Sequence, residues 1–257
     1  MSIILIIFIL IGATFGEKQS IRIYVDDGCL DTSSPQNIND TETIKRAIEQ
    51  ARITLEKLVM VERLANPIDL NQYTSIIPSE FQACAAIDLR GRIDCDLFIF
   101  IRYAIGSEGD SMNFPKTNII SYVDNDQTKR PLIGTIIHRY NLNDNDDAKI
   151  HGLSVLFLHQ FTHILGFRKT ILLNKGILKT EMLGDRMNNV PRQRTFINGT
   201  KALKVARDYF NCSSIDGIEI DDSTGEDGED NIHWHGRILL GDYLDFIMWI
   251  KQFQKLL

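Results

Sequence analysis

The chain has 257 residues, with 28 Lys plus Arg against 34 Asp plus Glu and a formal charge of −6. An acidic balance with no basic stripe argues against nucleic-acid binding. With 44% hydrophobic and 24% charged residues, the chain has a globular composition, neither disordered nor fibrous. The length allows one domain or two small ones around a real core.

The first residues bear on compartment. Ile3 to Ile11 is wholly apolar, small residues follow (Gly12, Ala13, Gly16), and Glu17-Lys18-Gln19-Ser20 is polar. The run is shorter than the ~20 residues a spanning helix needs. Its layout is that of a secretory signal peptide over residues 1–16, cleaved after Gly16. It lacks a Lys or Arg ahead of the apolar run, and the competing readings are an uncleaved anchor or a buried strand. The expected location is secreted or extracellular surface, with the mature chain soluble or held peripherally at a membrane. The four cysteines, Cys29, Cys84, Cys95 and Cys212, then permit two disulfides in three pairings. None forms a Cys-x-x-Cys pair, so a cysteine zinc site is not expected. Sequons begin at Asn39, Asn198 and Asn211 and are acceptors for glycans in an exported chain.

Ile21 to Val25 alternates as a strand. Thr41 to Leu64 reads as a helix with Ile44, Ala47, Ile48, Ala51, Leu55, Leu58 and Val59 on one face. Phe81 to Arg92 is irregular. Leu97-Phe98-Ile99-Phe100-Ile101 is a continuous apolar run of strand length, predicted to be buried on both faces. Pro131 to Ile137 reads as another strand. Asn143 to Asp147 is a polar break before a nearly all-apolar helix that starts at Ala148 or Leu153 and runs to Leu165. Thr200 to Phe210 is helical by the spacing of Ala202, Leu203, Ala206 and Phe210. Asp221 to Asp230 is an acidic loop, read as a solvated segment rather than a calcium site. The pattern predicts an α+β unit with a smaller, mostly irregular second half.

Two histidines interrupt the apolar helix, in His159-Gln160-Phe161-Thr162-His163. The i, i+4 spacing puts both rings on one face, the geometry by which a helix offers two imidazoles to one zinc ion. The pair alone admits a second reading, as core histidines bonded to backbone. Two buried imidazoles without partners are costly, which favours a shared ligand. Gly166 comes next, suited to a left-handed turn that ends the helix. His138 and His151 belong to no motif and read as surface or core residues.

Several segments carry a resemblance. His159-Gln-Phe-Thr-His-Ile-Leu-Gly-Phe167 resembles the zinc helix of leishmanolysin-type metallopeptidases, His-Glu-x-x-His-x-Leu-Gly-Phe. Val205 to Glu219, with its Tyr-Phe-Asn-Cys-Ser core, resembles the segment that comes after that helix, and Ile232-His-Trp-His-Gly resembles the family's His-Trp segment. Arg130-Pro131-Leu132-Ile133-Gly134 and Asp96-Leu97 resemble two strand entries of the same family. Together these cover roughly residues 80 to 245 in the family's order.

The resemblance implies a metzincin-like zincin fold: a twisted mixed sheet, a zinc helix beneath it, and a C-terminal subdomain. It implies an N-terminal subdomain over residues 17–166, and residues 167–257 carrying the third ligand and cut short relative to the family. It implies one Zn2+ held by His159, His163 and His233, and protein or peptide substrates or ligands. Four departures qualify the activity. Gln160 stands at the position of the general-base Glu; its amide cannot accept a proton at neutral pH, so the chain is expected to be nearly or wholly inactive. Leu244 takes the Met-turn position, a near volume-conserving swap. The family's Cys-rich C-terminal region is not matched, and the loop before His233 is unusually acidic. His235, two residues past His233, reads as an exposed or substrate-side residue, with a fourth-ligand role as the alternative. The expectation is a weak or inactive metalloendopeptidase; the alternative is a zinc-binding pseudopeptidase acting in binding or cell adhesion.

Overall fold

The computed structural model describes residues 18–30, 38–103, 116–125, 130–138, 147–183, 192–221 and 232–234. The expected signal peptide, the acidic loop over 222–230, His235 and Leu244 lie outside the described residues. No helix among the described residues is long and apolar enough to cross a membrane. The described residues fall into two compact units, one ending at Leu165 and one starting at Gly166.

The first unit is built on a four-stranded sheet. Strands β2 (Ile23–Cys29), β6 (Leu97–Tyr103) and β8 (Pro131–His138) run parallel, and β7 (Lys116–Tyr122) closes the edge antiparallel to β8, in the order β2-β6-β8-β7. Two short antiparallel pairs accompany it: β1 (Gln19–Ser20) with β3 (Met60–Val61), and β4 (Ile68–Asp69) with β5 (Arg92–Ile93). Residues 97–101 are fully buried in the middle of the sheet, as a two-faced parallel strand requires. Phe98 and Phe100 face a cluster with Leu70, Ile77, Phe81 and Ile133. Alternation sends Leu97, Ile99 and Ile101 to the opposite face.

Helix α1 (Ile38–Leu58) buries the predicted face: Ile44, Ala47, Ile48, Ala51 and Leu55 are all at most 4% exposed. It stops six residues before the predicted end. Met60 and Val61 are drawn into β3, and the amide of Ile21 donates to the carbonyl of Val59; sheet pairing overrides helical spacing there. A short helix α2 (Ser79–Gln82) lies in the stretch read as irregular. Of the four cysteines, Cys29 and Cys84 form a disulfide, while Cys95 and Cys212 are free thiols. Cys95 is packed in the apolar core, and burial pushes its thiol up to about 12. Closing a 55-residue separation restricts the unfolded chain by about 4 kcal/mol in the loop-entropy model.

Asp96 ties the start of β6 to its surroundings. Its carboxylate, buried completely, accepts from the Arg22 amide (3.0 Å), Arg22 Nε (2.9 Å) and Nη2 (3.1 Å), and the Leu64 amide (2.8 Å). The Arg130 guanidinium donates to the Asp96 carbonyl. Burial alone would raise this carboxyl, but the hydrogen bonds from Arg22 and Leu64 outweigh it and hold it below the usual range. Its contribution is therefore present above the ordinary carboxylate pKa and is lost as pH falls through the lowered folded value. Asp96→Ala takes the buried anion from Arg130 and leaves Arg22 only the exposed Asp94, and is expected to destabilise the unit by roughly 3–5 kcal/mol. Urea unfolding at neutral pH monitored by circular dichroism checks this; a loss below about 1 kcal/mol would contradict the role given to the carboxylate.

Helix α3 (Asp147–Ile164) packs against α1 and against β7 and β8. It is buried on nearly every side, with Phe157, Leu158, Phe161 and Ile164 at most 1% exposed. That explains why its apolar pattern has no solvent face.

The second unit corrects the expectation of a mostly irregular half. Strands β9 (Leu178–Leu183), β10 (Arg192–Ile197), β11 (Ile218–Asp221) and β12 (His233–Trp234) form an antiparallel sheet in the order β12-β11-β10-β9. Helix α4 (Lys169–Asn174) leads into it through Gly176, at φ 66°. Helix α5 (Thr200–Phe210) ends at Asn211, at φ 47°. The core is Phe167, Leu172, Leu178, Ile197, Ala206, Ile218, Ile220 and Ile232. Phe210, spaced as a core position, is instead 37% exposed at the end of α5.

Candidate metal centre

The polar residues of α3 are few, and each has local chemistry. The Ser154 hydroxyl donates to the His151 carbonyl and the Thr162 hydroxyl to the His159 carbonyl, both at 2.7 Å. This back-bonding satisfies hydroxyls that an apolar helix could not otherwise bury. His163 is fully buried and His159 is half-buried. Their Nε2 atoms lie 3.0 Å apart, with the rings edge to face at a centroid distance of 4.6 Å.

Two imidazole nitrogens this close share either a proton or a cation. Zn–N bonds of about 2.0–2.1 Å at the tetrahedral angle place two nitrogens about 3.3–3.4 Å apart. The observed separation is a few tenths of an ångström shorter, so the pair fits a shared ion with a slight opening. Gln160, between the two histidines in sequence, is 1% exposed, and its Oε1 is buried without a hydrogen-bond donor among the described residues.

Two packing features hold the helix that carries the pair. Gly134 on β8 faces Ile164, directly after His163: a Cβ at 134 would stand 2.5 Å from Ile164 Cγ2. Only a residue without a side chain lets α3 lie this close to the sheet. The helix ends at Ile164, the Leu165 amide still donates to the Phe161 carbonyl, and Gly166 takes φ 113°, where other residues are strained. Gly134→Val is expected to push α3 outward, to cost roughly 1–3 kcal/mol from overpacking, and to weaken metal binding at the pair. Thermal unfolding and zinc titration of the same preparation check it; an unchanged zinc affinity would detach Gly134 from the site.

The other histidines of this unit differ in surroundings. His138 is fully buried at the end of β8 with its ring 5.3 Å from that of Phe157. Burial pushes its pKa down to about 4, which keeps it neutral. His151 is half-buried on α3, with its Nε2 buried and without a partner among the described residues.

In the second unit His233 lies on β12, in register opposite Asp221 on β11. Ile232 before it is buried in the core, and the His233 ring is half-buried. Its backbone is thus fixed by a sheet that local sequence pattern did not reveal. His159, His163 and His233 each offer one ligand atom and make up a group that could hold a metal ion.

Residues 29–256 match the family model described as Leishmanolysin, a peptidase family. The chain belongs to the leishmanolysin family. No curated protein matches it. Leishmanolysins are zinc metallopeptidases, and the α+β architecture with its mixed sheet is compatible with a metzincin-like peptidase fold. Two segments noted only for their likeness now have physical roles in this leishmanolysin-family chain. Asp96 of Asp-Leu is the buried anion that gathers Arg22, the Leu64 amide and Arg130. Gly134 of Arg-Pro-x-x-Gly is the close approach of sheet and helix. Nothing in the sequence alone distinguishes these roles from ordinary strand starts, because both depend on contacts between distant segments.

Proposed function

We propose that this chain is an exported leishmanolysin-type protein that holds one zinc ion through His159, His163 and His233 and has lost most or all peptidase activity. The observation that carries the reading is Gln160: a neutral amide, 1% exposed, one residue beyond His159 on the same helix. When bound, zinc supplies a Lewis acid that polarises a carbonyl and brings a coordinated water to a pKa of ~7.

The chain's own side chains decide how far hydrolysis can proceed. Neutral imidazoles from α3 and β12 present nitrogen lone pairs. On α3 itself His159 is half-buried, while His163 is shut into the core. Peptide hydrolysis then needs a group that takes a proton from water and returns it to the leaving amine. The amide of Gln160 can hold water by a hydrogen bond at Oε1, but it does not take up its proton. A site that binds zinc and peptide without cleaving favours a role in binding or adhesion. Export is supported by the apolar run Ile3 to Ile11 and by the Cys29–Cys84 disulfide, a bond that persists in oxidising compartments.

The test is to produce the full chain through a eukaryotic secretory pathway, measure zinc per chain, and assay casein cleavage. Zinc near one equivalent with cleavage at background supports the reading. Robust casein cleavage by the natural chain overturns the assignment of Gln160.

A further inference from the structure

Helix α5 ends at Asn211, whose backbone takes the left-handed conformation at φ 47° and whose backbone N–H donates to the Arg207 carbonyl. Glycine meets such a cap with the least strain, and asparagine is the side chain that tolerates it next best. The cap itself makes no use of the Asn211 side chain. That side chain is exposed, and among the described residues its amide makes no hydrogen bond. Two residues on, Ser213 is exposed as well. Between them Cys212 is a free thiol, so no disulfide ties the segment down. The other two sequons sit differently. Asn39 lies in the first turn of α1. Asn198 is half-buried where β10 gives way to α5, and its backbone N–H donates to the Ile177 carbonyl at 3.0 Å. Of the two whose side chains are described, Asn211 is the exposed one. Phe210, immediately before it, is 37% exposed. A bulky, solubilising group at Asn211 screens that apolar surface without displacing a contact of the fold.

We infer, on the reading that the chain is exported, that Asn211 is a glycan attachment site and that the turn after α5 stays a solvent face of the mature protein. The group it takes is an N-linked oligosaccharide, donated in the secretory pathway by an oligosaccharide carried on a lipid diphosphate. Asn211 Nδ2 forms a bond to C1 of the first sugar. The bond from that carbon to the phosphate oxygen breaks, the lipid diphosphate leaves, and the amide gives up one proton to solvent. Ser213 supplies the hydroxyl that the sequon requires. None of His159, His163 and His233 takes part, so the modification is independent of the metal.

The test secretes the full chain from eukaryotic cells and purifies it from the medium. The peptide carrying Asn211 is then read by mass spectrometry before and after peptide N-glycosidase treatment in heavy-oxygen water. Most molecules of the natural chain are expected to carry glycan at Asn211, which the enzyme converts to a labelled aspartate. Ser213→Ala is expected to lose this label and one glycan step in gel mobility. Ser213→Thr, which keeps the sequon, retains both and guards against an effect of folding alone. An unmodified Asn211 peptide from a secreted chain with Cys29 and Cys84 bonded overturns the inference while leaving export standing. Equal gel mobility of the natural chain and Ser213→Ala overturns it in the same way. A chain retained in the cell, with all three sequons unmodified and Cys29 and Cys84 reduced, is the failure of the export reading and brings the inference down with it.

Discussion

Gln160→Glu is expected to raise casein hydrolysis by about 10²–10⁴-fold over the natural chain, the range contributed by a positioned general base. The change adds one charge and alters almost no volume. It falls on a fully buried position of α3, next in sequence to His159. The cost of burying a new carboxylate in an apolar helix is offset only where a cation stands close to it. The same substitution therefore reports on two things. If zinc is present, the carboxylate is stabilised, the variant folds and cleavage appears. If no metal is bound, the variant carries an unpaired buried charge and loses several kcal/mol of stability. Unfolding of the variant with and without added zinc, alongside the casein assay, separates the outcomes. A variant that folds, binds zinc and still fails to cleave would show that the loss of activity has a second cause, with Leu244 as the next position to test.

The double change His159→Ala, His163→Ala is expected to lower zinc affinity by well over a hundredfold, because loss of a group that merely orients a ligand already costs about 10–100-fold. The two rings differ in what else they do. His159 is half-buried, so its truncation removes a ligand with little loss of packing. His163 is fully buried, so its truncation also leaves a cavity. His159→Ala alone is then the cleaner probe: zinc binding falls while unfolding of the metal-free protein stays within about 1 kcal/mol of the natural chain. Equilibrium dialysis against zinc, with circular dichroism on the same samples, checks both parts. Retention of a full equivalent of tightly held zinc in the double variant would remove α3 from the site.

The elements that could be read from sequence are those whose burial is written in their own periodicity. The face of α1, the two-sided burial of residues 97–101 and the all-apolar α3 each depend on spacing within one segment. The second sheet was illegible for the opposite reason. Its strands mix buried and exposed polar residues, and they hold together across the sheet rather than along it. Arg194 on β10 pairs with Glu181 on β9 at 3.0 Å and with Asp216 at 2.9 Å, and its guanidinium covers the Phe196 ring at 4.3 Å. Gly217 lies so close under Phe196 that a Cβ would stand 2.0 Å from its ring. None of these pairings has a signature in a run of six residues. At the site, the His159–His163 spacing was visible directly, whereas His233 entered only through likeness to a family segment. Its place on β12 depends on pairing with β11, which no local pattern announces.

If His233 completes the ligand set begun by His159 and His163, its removal must register at the metal. Zinc stoichiometry and affinity of the natural chain beside those of His233→Ala give the sharpest reading, because β12 is a two-residue strand and the change leaves α3 untouched. One zinc per natural chain is expected, with an affinity at least about a hundredfold weaker in the variant. Equal zinc affinity in the two proteins would exclude His233 from the ligand set and end the three-histidine centre.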